Sequence, residues 1–371
     1  MNAPSKSSRT EDRLAQLRHQ MRVSKVDLTV LGPTGHLRWL AGIDPHGDER
    51  PVMLFVSQTY AGLLVPALNA QSVRQHTTLP FHCWRDDEGP QAALDDLLAK
   101  LAIERNDLSL SLDEGMRADF AMLVLAALPQ ARHQFTAATI SPLRASKDEG
   151  DYQALKASAV LNDRAVRAGF AALREGITEA EVAEVITAEY LAAGARAEFT
   201  SVCFGANSAF CHHHTGPTRL TRDCAVLIDA GARHMGFPSD MTRVGWFGTP
   251  SAEFQKVAQV VEDAVAAALA AASIGQPISA VDKAARNVIT KAGYGGQFLH
   301  RTGHGLGIEI HEEPYVTAVN GRPLAEGNVF TIEPGIYLDG KFGVRLEEVI
   351  FMRPDGAEIL SEMPRHPVIC R

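Results

Sequence analysis

The chain has 371 residues, 46% hydrophobic and 22% charged, with 36 Lys and Arg against 44 Asp and Glu for a net charge of −8. That length predicts two domains, and the composition leaves little room for long disorder. Neither charge sign forms a block, which argues against nucleic acid as a main partner. Five scattered cysteines without a Cys-x-x-Cys pair predict reduced thiols, not a disulfide framework. Residues 1–20 are polar and lack the apolar core of a signal peptide. The most apolar long stretch, 257–272, is broken by Gln259, Glu262 and Asp263 and predicts an amphipathic core helix in place of a membrane span. A cytoplasmic location is expected.

From about residue 10 to 140 helical and strand-like patterns alternate. Leu14, Leu17 and Met21 share one face of a first helix, and apolar runs at 26–31, 51–56 and 61–65 read as strands. A helix over 92–103, a strand over 108–112 and a helix over 118–128 complete an α/β pattern. His36, His46, His76, His82 and His133 are isolated here and are expected to be surface or satisfied core histidines. A boundary is expected near 141–147, where Pro142 and small residues precede a long helical pattern.

A weak internal repeat follows. Gly176-Ile177-Thr178 opens a helix with a capping-box pattern, Thr178 to Glu181, that runs through Val185-Ile186-Thr187 to Gly194. Gly275-Gln276-Pro277-Ile278-Ser279 opens another, through Val288-Ile289-Thr290 to Gly293. The Val-Ile-Thr triplets lie 103 residues apart. Either the second half is two pseudo-symmetric halves with a site between them, or two amphipathic helices match by chance.

Five residues of this half have the chemistry of metal ligands. Asp229 ends the apolar run 225–228, and Asp240 follows eleven residues later, after Gly231, Gly236 and Pro238. A hairpin turning near His234-Met235 would set the two acids opposite each other, within roughly 5 Å at Cβ. His304 stands among Gly303, Gly305 and Gly307, without the spacing of a dinucleotide fingerprint, and His311 follows seven residues on. Glu333 and Glu347 each sit in apolar strand-like sequence. A buried carboxylate is costly unless paired or metal-bound. Four carboxylates and an imidazole exceed what one divalent ion balances, and two hard or borderline cations would suit them. Cys211 beside His212-His213-His214 lacks a second cysteine at zinc-ligand spacing.

In order and spacing these segments resemble the pita-bread metallopeptidases: methionine aminopeptidases, aminopeptidases P and prolidases. The resemblance covers the whole chain. It implies an α+β pita-bread catalytic domain over 145–371, preceded by a smaller α/β creatinase-like accessory domain over 1–140. It further implies that Asp229 binds one ion, that Asp240 and Glu347 bridge two, and that His304 and Glu333 complete the second position. Manganese is the expected metal, with cobalt or zinc as alternatives. Residues 206–212, Ala206-Asn207-Ser208-Ala209-Phe210-Cys211-His212, resemble the family's Asn-x-Ala-x-Pro-His segment, with Cys211 in place of proline.

The implied chemistry is attack by a hydroxide between the ions on the carbonyl before proline. Glu333 acts as general base and acid, and His212 and His311 contact substrate and oxyanion. Arg345 orients a bridging carboxylate or the substrate, or else makes a structural salt bridge, and His213 and His214 are ordinary loop histidines. A homodimer is implied, with one chain's accessory domain bordering the other's active-site mouth. One departure stands out. Many prolidases carry an arginine after the His-Glu-x-Pro segment to grip the substrate carboxylate, whereas His311-Glu312-Glu313-Pro314 is followed here by Tyr315. Tyr315 is expected to contact the substrate, since a phenol can hydrogen-bond a carboxylate, but it makes no bidentate ion pair. The expected activity is that of an Xaa-Pro dipeptidase, ahead of an aminopeptidase P acting on longer peptides. Non-peptidase enzymes or a metal-free binding protein of the same fold are further alternatives, disfavoured because all five ligand types are retained.

Overall fold

The computed structural model describes residues 6–44, 47–104 and 106–371; His46 and the first five residues of the polar N-terminal stretch lie outside them. The chain divides into two units, Met1–Arg144 and Ala145–Arg371. Among the described residues no helix is long and apolar enough to cross a membrane.

The first unit runs α1 (Lys6–Val23), β1 (Leu28–Leu31), α2 (Gly35–Ala41), β2 (Met53–Val56), β3 (Ala61–Pro66), α3 (Ala70–Val73), β4 (Phe81–Trp84), α4 (Gln91–Lys100), β5 (Ser109–Leu112), α5 (Ala118–Ala127), β6 (Arg132–Phe135) and α6 (Ile140–Ala145). Its six strands are ordered β4-β3-β2-β1-β5-β6. β1, β2 and β3 are buried along their whole length, as their unbroken apolar runs require of central strands. Leu14, Leu17 and Met21 of α1 are buried as the helical spacing predicts. β6, Arg-His-Gln-Phe, has no apolar pattern and is exposed along its length, as an edge strand can be.

Two of the histidines of this unit are satisfied inside it. His36 accepts from Arg144 Nη1 (2.8 Å) and meets the Thr136 hydroxyl (3.0 Å). His82 lies between the Tyr60 hydroxyl (2.9 Å) and Asp96 (2.7 Å). His76 and His133 are exposed.

The second unit begins with a helix pair, α7 (Glu149–Ala171) and α8 (Glu179–Ala192), followed by β7 (Arg196–Phe204), β8 (Cys224–His234), β9 (Phe237–Pro238) and β10 (Met241–Phe247). A second pair, α9 (Ala252–Ala271) and α10 (Ile278–Lys291), precedes β11 (Gly303–Gly305), β12 (Glu312–Val316), β13 (Val329–Ile332), β14 (Gly335–Leu338), β15 (Phe342–Arg345), β16 (Glu348–Arg353), β17 (Gly356–Ile359) and β18 (Val368–Cys370). One sheet is ordered β18-β10-β8-β7 and the other β12-β11-β13-β16-β17. Phe170, Val182, Ile186 and Ile228 belong to one apolar core; Phe254, Val261, Ile289, Phe330 and Ile350 belong to a second.

The repeat is structural, with a different phase from the triplet match. Gly176 and Gly275 both adopt positive φ (82° and 84°), and their N–H groups donate to the carbonyls of Leu220 and Leu324. Thr178 and Pro277 cap the two helices, and Gly194 and Gly293, again at positive φ, follow their ends. Each of these pairs is 99 residues apart, so triplets separated by 103 are displaced by four residues, about one helical turn. The capping box is present: Glu181 N–H donates to Thr178 Oγ1 (3.1 Å), and Thr178 N–H to Glu181 Oε2 (2.8 Å).

The hairpin also differs in register. Met235 and Gly236 both have positive φ (51° and 87°) and form the turn, one position later than expected. Asp229 therefore faces Thr242 across the ladder, and Ala230 faces Met241. Asp240 thus falls on the diagonal from Asp229, on the same face and still within reach of a shared site. Gly231 makes this approach possible. A Cβ there would overlap the Ser239 carbonyl oxygen and lie 2.7 Å from Phe199 Cε1. We predict that Gly231→Ala costs about 1–3 kcal/mol through overpacking. Denaturant titration at unchanged m-value measures it, and a loss below about 0.5 kcal/mol would show slack in the hairpin.

Candidate metal centre

Each ligand candidate lies within a strand or directly beside one, where backbone hydrogen bonds fix its Cα. Asp229 lies within β8 and Asp240 immediately precedes β10. His304 is the middle residue of β11, Glu333 follows β13, and Glu347 sits between β15 and β16. Thr331 Oγ1 accepts from His304 N–H (3.0 Å), and the Thr302 carbonyl accepts from Glu333 N–H (2.8 Å). His304 Nε2 is 3.5 Å from both Asp240 Oδ2 and Glu333 Oε1. Ligand atoms of Asp240, His304 and Glu347 all lie within 4.8 Å of one another. The five candidates line a single cleft of about 720 Å³, together with His212, His311 and Arg345.

Four observations test whether this constellation fits cations. His304 Nδ1 donates to the Gly305 carbonyl (3.1 Å), which leaves the bare Nε2 lone pair facing two carboxylates. Asp229 Oδ1 is buried without a hydrogen-bond partner. Burial, followed by repulsion from neighbouring carboxylates, pushes Asp240 and Glu347 well above the ordinary carboxylate range. Burial pushes Glu333 up to about 7 against the opposing pull of Arg345. Lone pairs and anions facing one another in a buried space are what divalent cations relieve, so the donor set fits them.

Arg345 is placed behind the ligands. Its Nη2 donates to Asp229 Oδ2 (2.6 Å), its Nε to Thr242 Oγ1 (3.0 Å) and its Nη1 to the Tyr337 hydroxyl (2.9 Å). Thr242 Oγ1 in turn donates to Glu347 Oε2 (2.8 Å). Arg243, 1% exposed, holds the next residue down: it donates to the Glu347 carbonyl (2.6 Å) and to Glu348 Oε1 (2.8 Å). His212 and His311 line the cleft from exposed positions, and the His311 ring centroid is 4.0 Å from that of His304. Tyr315 is absent from the cleft lining; its ring lies under the Arg301 guanidinium, 4.4 Å from ring centroid to Cζ.

Several contributors had no sequence signal of their own. His213 is more than a loop histidine: its Nε2 meets Glu179 Oε2 (3.0 Å). Glu179, fully buried, also accepts from Phe204 N–H (2.8 Å), Asn207 Nδ2 (2.8 Å) and Gly216 N–H (3.1 Å). One carboxylate therefore ties down both ends of the segment that carries His212. Lys147 Nζ donates to Glu312 Oε1 (2.8 Å), and Glu312 Oε2 accepts from Glu309 N–H (3.2 Å), bracing the turn that carries His311. His300 Nδ1 donates to the Arg301 carbonyl (2.7 Å), leaving Nε2 to accept from the Tyr337 hydroxyl (2.8 Å).

The family model for metallopeptidase family M24 matches residues 153–354, and that for the creatinase/prolidase N-terminal domain matches residues 13–145. The chain belongs to metallopeptidase family M24. An uncharacterized peptidase of Staphylococcus saprophyticus is 34% identical over 94% of this chain and 99% of its own. The structure of a Thermococcus sibiricus prolidase superposes with a TM-score of 0.90 at 29% identity, covering 99% of this chain and all of that one. A Pyrococcus horikoshii dipeptidase superposes at 0.89 with 32% identity, covering 96% and 99%. The expected architecture, a creatinase-type N-terminal domain before a pita-bread M24 domain, is therefore the observed one. The protein is a metallopeptidase of a family that uses divalent metals.

Burial pushes the His300 imidazole down to about 4. An unfolded histidine titrates near pH 6.5, so between pH 6.5 and 4 the unfolded chain takes up a proton that the folded chain does not. Stability present above pH 6.5 is thus lost on acidification, by on the order of 2–3 kcal/mol. We predict that His300→Gln removes this slope. Unfolding free energies of both proteins from pH 7 to 4 check it; parallel curves would mean that His300 is not held neutral.

Proposed function

We propose that this metallopeptidase is a dinuclear Xaa-Pro dipeptidase that hydrolyses the bond preceding proline. The observation that carries the reading is the convergence of four carboxylates and a bare imidazole nitrogen on one cleft, where Arg345 pairs with Asp229. Prolidase and dipeptidase structures of the same architecture support the choice of substrate. Two divalent cations, manganese first by the oxygen-rich donor set, would supply a polarised scissile carbonyl and a hydroxide nucleophile at neutral pH.

The chain's own residues have distinct tasks. Asp229, Asp240, His304, Glu333 and Glu347 would hold the cations, with Asp240 and Glu347 shared between them. Glu333 would take and return the proton at its carboxylate, and the Thr331 hydroxyl, 3.3 Å from its Oε1, supports that oxygen. His212 and His311, projecting into the cleft from braced segments, would donate to the substrate carbonyl as charge develops on its oxygen. Arg345 and Thr242 orient Asp229 and Glu347. Five free cysteines support a reducing, cytoplasmic setting, and a homodimer is the assembly that the resemblance implies.

We predict that chelation abolishes hydrolysis of Xaa-Pro dipeptides and that added manganese or cobalt restores it; full activity after exhaustive metal removal would contradict the reading. Glu333→Gln should lower kcat by about 10²–10⁴ with a much smaller change in KM. The alternative, an aminopeptidase acting on longer peptides, is decided by comparing Xaa-Pro with Xaa-Pro-Yaa at matched Xaa. Faster cleavage of the tripeptide would favour it.

A further inference from the structure

Two guanidinium groups line the cleft, and they are employed differently. Each guanidinium nitrogen of Arg345 already donates internally, to Asp229, Thr242 or Tyr337. The Arg301 side chain makes no hydrogen bond or ion pair among the described residues and lies over the face of Tyr315. Cleft-lining Glu198 is held by Arg233 through two bonds of 2.8 and 2.9 Å. Stacking fixes the plane of a guanidinium while leaving its N–H fork free, which is the arrangement suited to bidentate capture of a carboxylate.

The backbone beneath Arg301 is equally fixed. Asp282 Oδ1 accepts from Thr302 N–H (3.2 Å) and Thr302 Oγ1 (2.8 Å). Arg286, paired with Asp282 (3.0 Å), donates to the His300 carbonyl (2.9 Å). The neighbours on both sides of Arg301 are therefore pinned, so the side chain starts from a rigid base. A partly exposed cation held in this way, beside a site for peptide hydrolysis and with no acid bonded to its N–H groups, can take the carboxylate that a peptide substrate brings at its C-terminus.

We infer that Arg301, held by Tyr315, is the anchor for the free α-carboxylate of the residue that follows the scissile bond, and so selects dipeptides. This rests on the dipeptidase reading above. It gives Tyr315 a supporting task in place of direct substrate contact: the phenol ring orients the guanidinium that makes the ion pair. It also relocates the positive charge from the position after Pro314 to the segment before His304.

The test compares an Xaa-Pro dipeptide with the same compound as its C-terminal amide, in metal-loaded wild type, Arg301→Gln, Arg301→Lys and Tyr315→Leu. Wild type should favour the acid in kcat/KM by about tenfold to a hundredfold, the range for a charge-assisted pair over a neutral contact. Arg301→Gln should lose that preference by slowing the acid far more than the amide. Arg301→Lys should restore part of it, and Tyr315→Leu should weaken it. Calorimetric binding of acid and amide to metal-loaded Glu333→Gln protein, with and without Arg301→Gln, reads the same preference without turnover. An equal loss on acid and amide, or an unchanged ratio, would overturn the inference. Should the wild type cleave only dipeptides without proline, the proline reading fails, and the same acid–amide comparison on such a dipeptide still decides the role of Arg301.

Discussion

Carboxylates buried within a few ångströms of one another repel, and the interactions around the cleft hold them in place against that repulsion. At an effective dielectric of about 20, a pair of like charges 4 Å apart costs about 4 kcal/mol. The supporting structure is correspondingly dense. Arg345 grips Asp229, Thr242 bonds both Arg345 and Glu347, and Arg243 braces the Glu347 carbonyl from beneath. The residual cost shows in the carboxyl groups that burial and mutual repulsion push above their ordinary range. A site of this kind is destabilising when empty and strongly attractive to divalent cations, so cation binding and the integrity of the second unit are thermodynamically linked.

The duplicated architecture explains how one chain brings the donors together. The hairpin of the first half supplies Asp229 and Asp240, and the second half supplies His304, Glu333 and Glu347. Bonds from β15 to β8 and from β10 to Glu347 cross between the halves at the site itself. Changing the distance between the halves would therefore disturb ligand geometry before it disturbed either apolar core. Glycine does related work where backbones approach closely. A Cβ on Gly303 would overlap the Thr331 carbonyl, and one on Gly343 the Ser208 carbonyl, so both positions permit backbone approaches that no other residue allows.

Much of this was legible in the sequence, because a charged residue inside an apolar run is a local anomaly that needs no partner to be noticed. Asp229, Glu333 and Glu347 are of that kind, and the capping box at Thr178 is equally local. The hairpin register was not legible, since methionine at the first turn position carries no preference for the positive φ that Met235 adopts. Helix phase was misread for a different reason: Val-Ile-Thr recurs on both helices one turn apart, and composition alone cannot tell one turn from the next. The bonds from Glu179 to His213 and from His300 to Tyr337 span 34 and 37 residues. Their partners are ordinary polar residues until the fold makes them neighbours. β6 escaped notice because an edge strand needs no apolar face.

The two cleft arginines show why residue type underdetermines role. Arg345 is buried, and its guanidinium is committed to an acid, a hydroxyl and a phenol, so its charge is spent on the geometry of the protein itself. Arg301 is partly exposed, and its stacking partner supplies position without consuming a donor. An ion pair made by the first would require breaking bonds already formed, whereas one made by the second displaces only water. Desolvation is costly for either group, but the stacked arginine keeps its whole N–H fork with which to recover that cost from an incoming anion. The difference lies in what each side chain already touches. That is why an aromatic residue following Pro314, which on sequence grounds removes a charge from the substrate site, is compatible in the fold with a charge held there by other means.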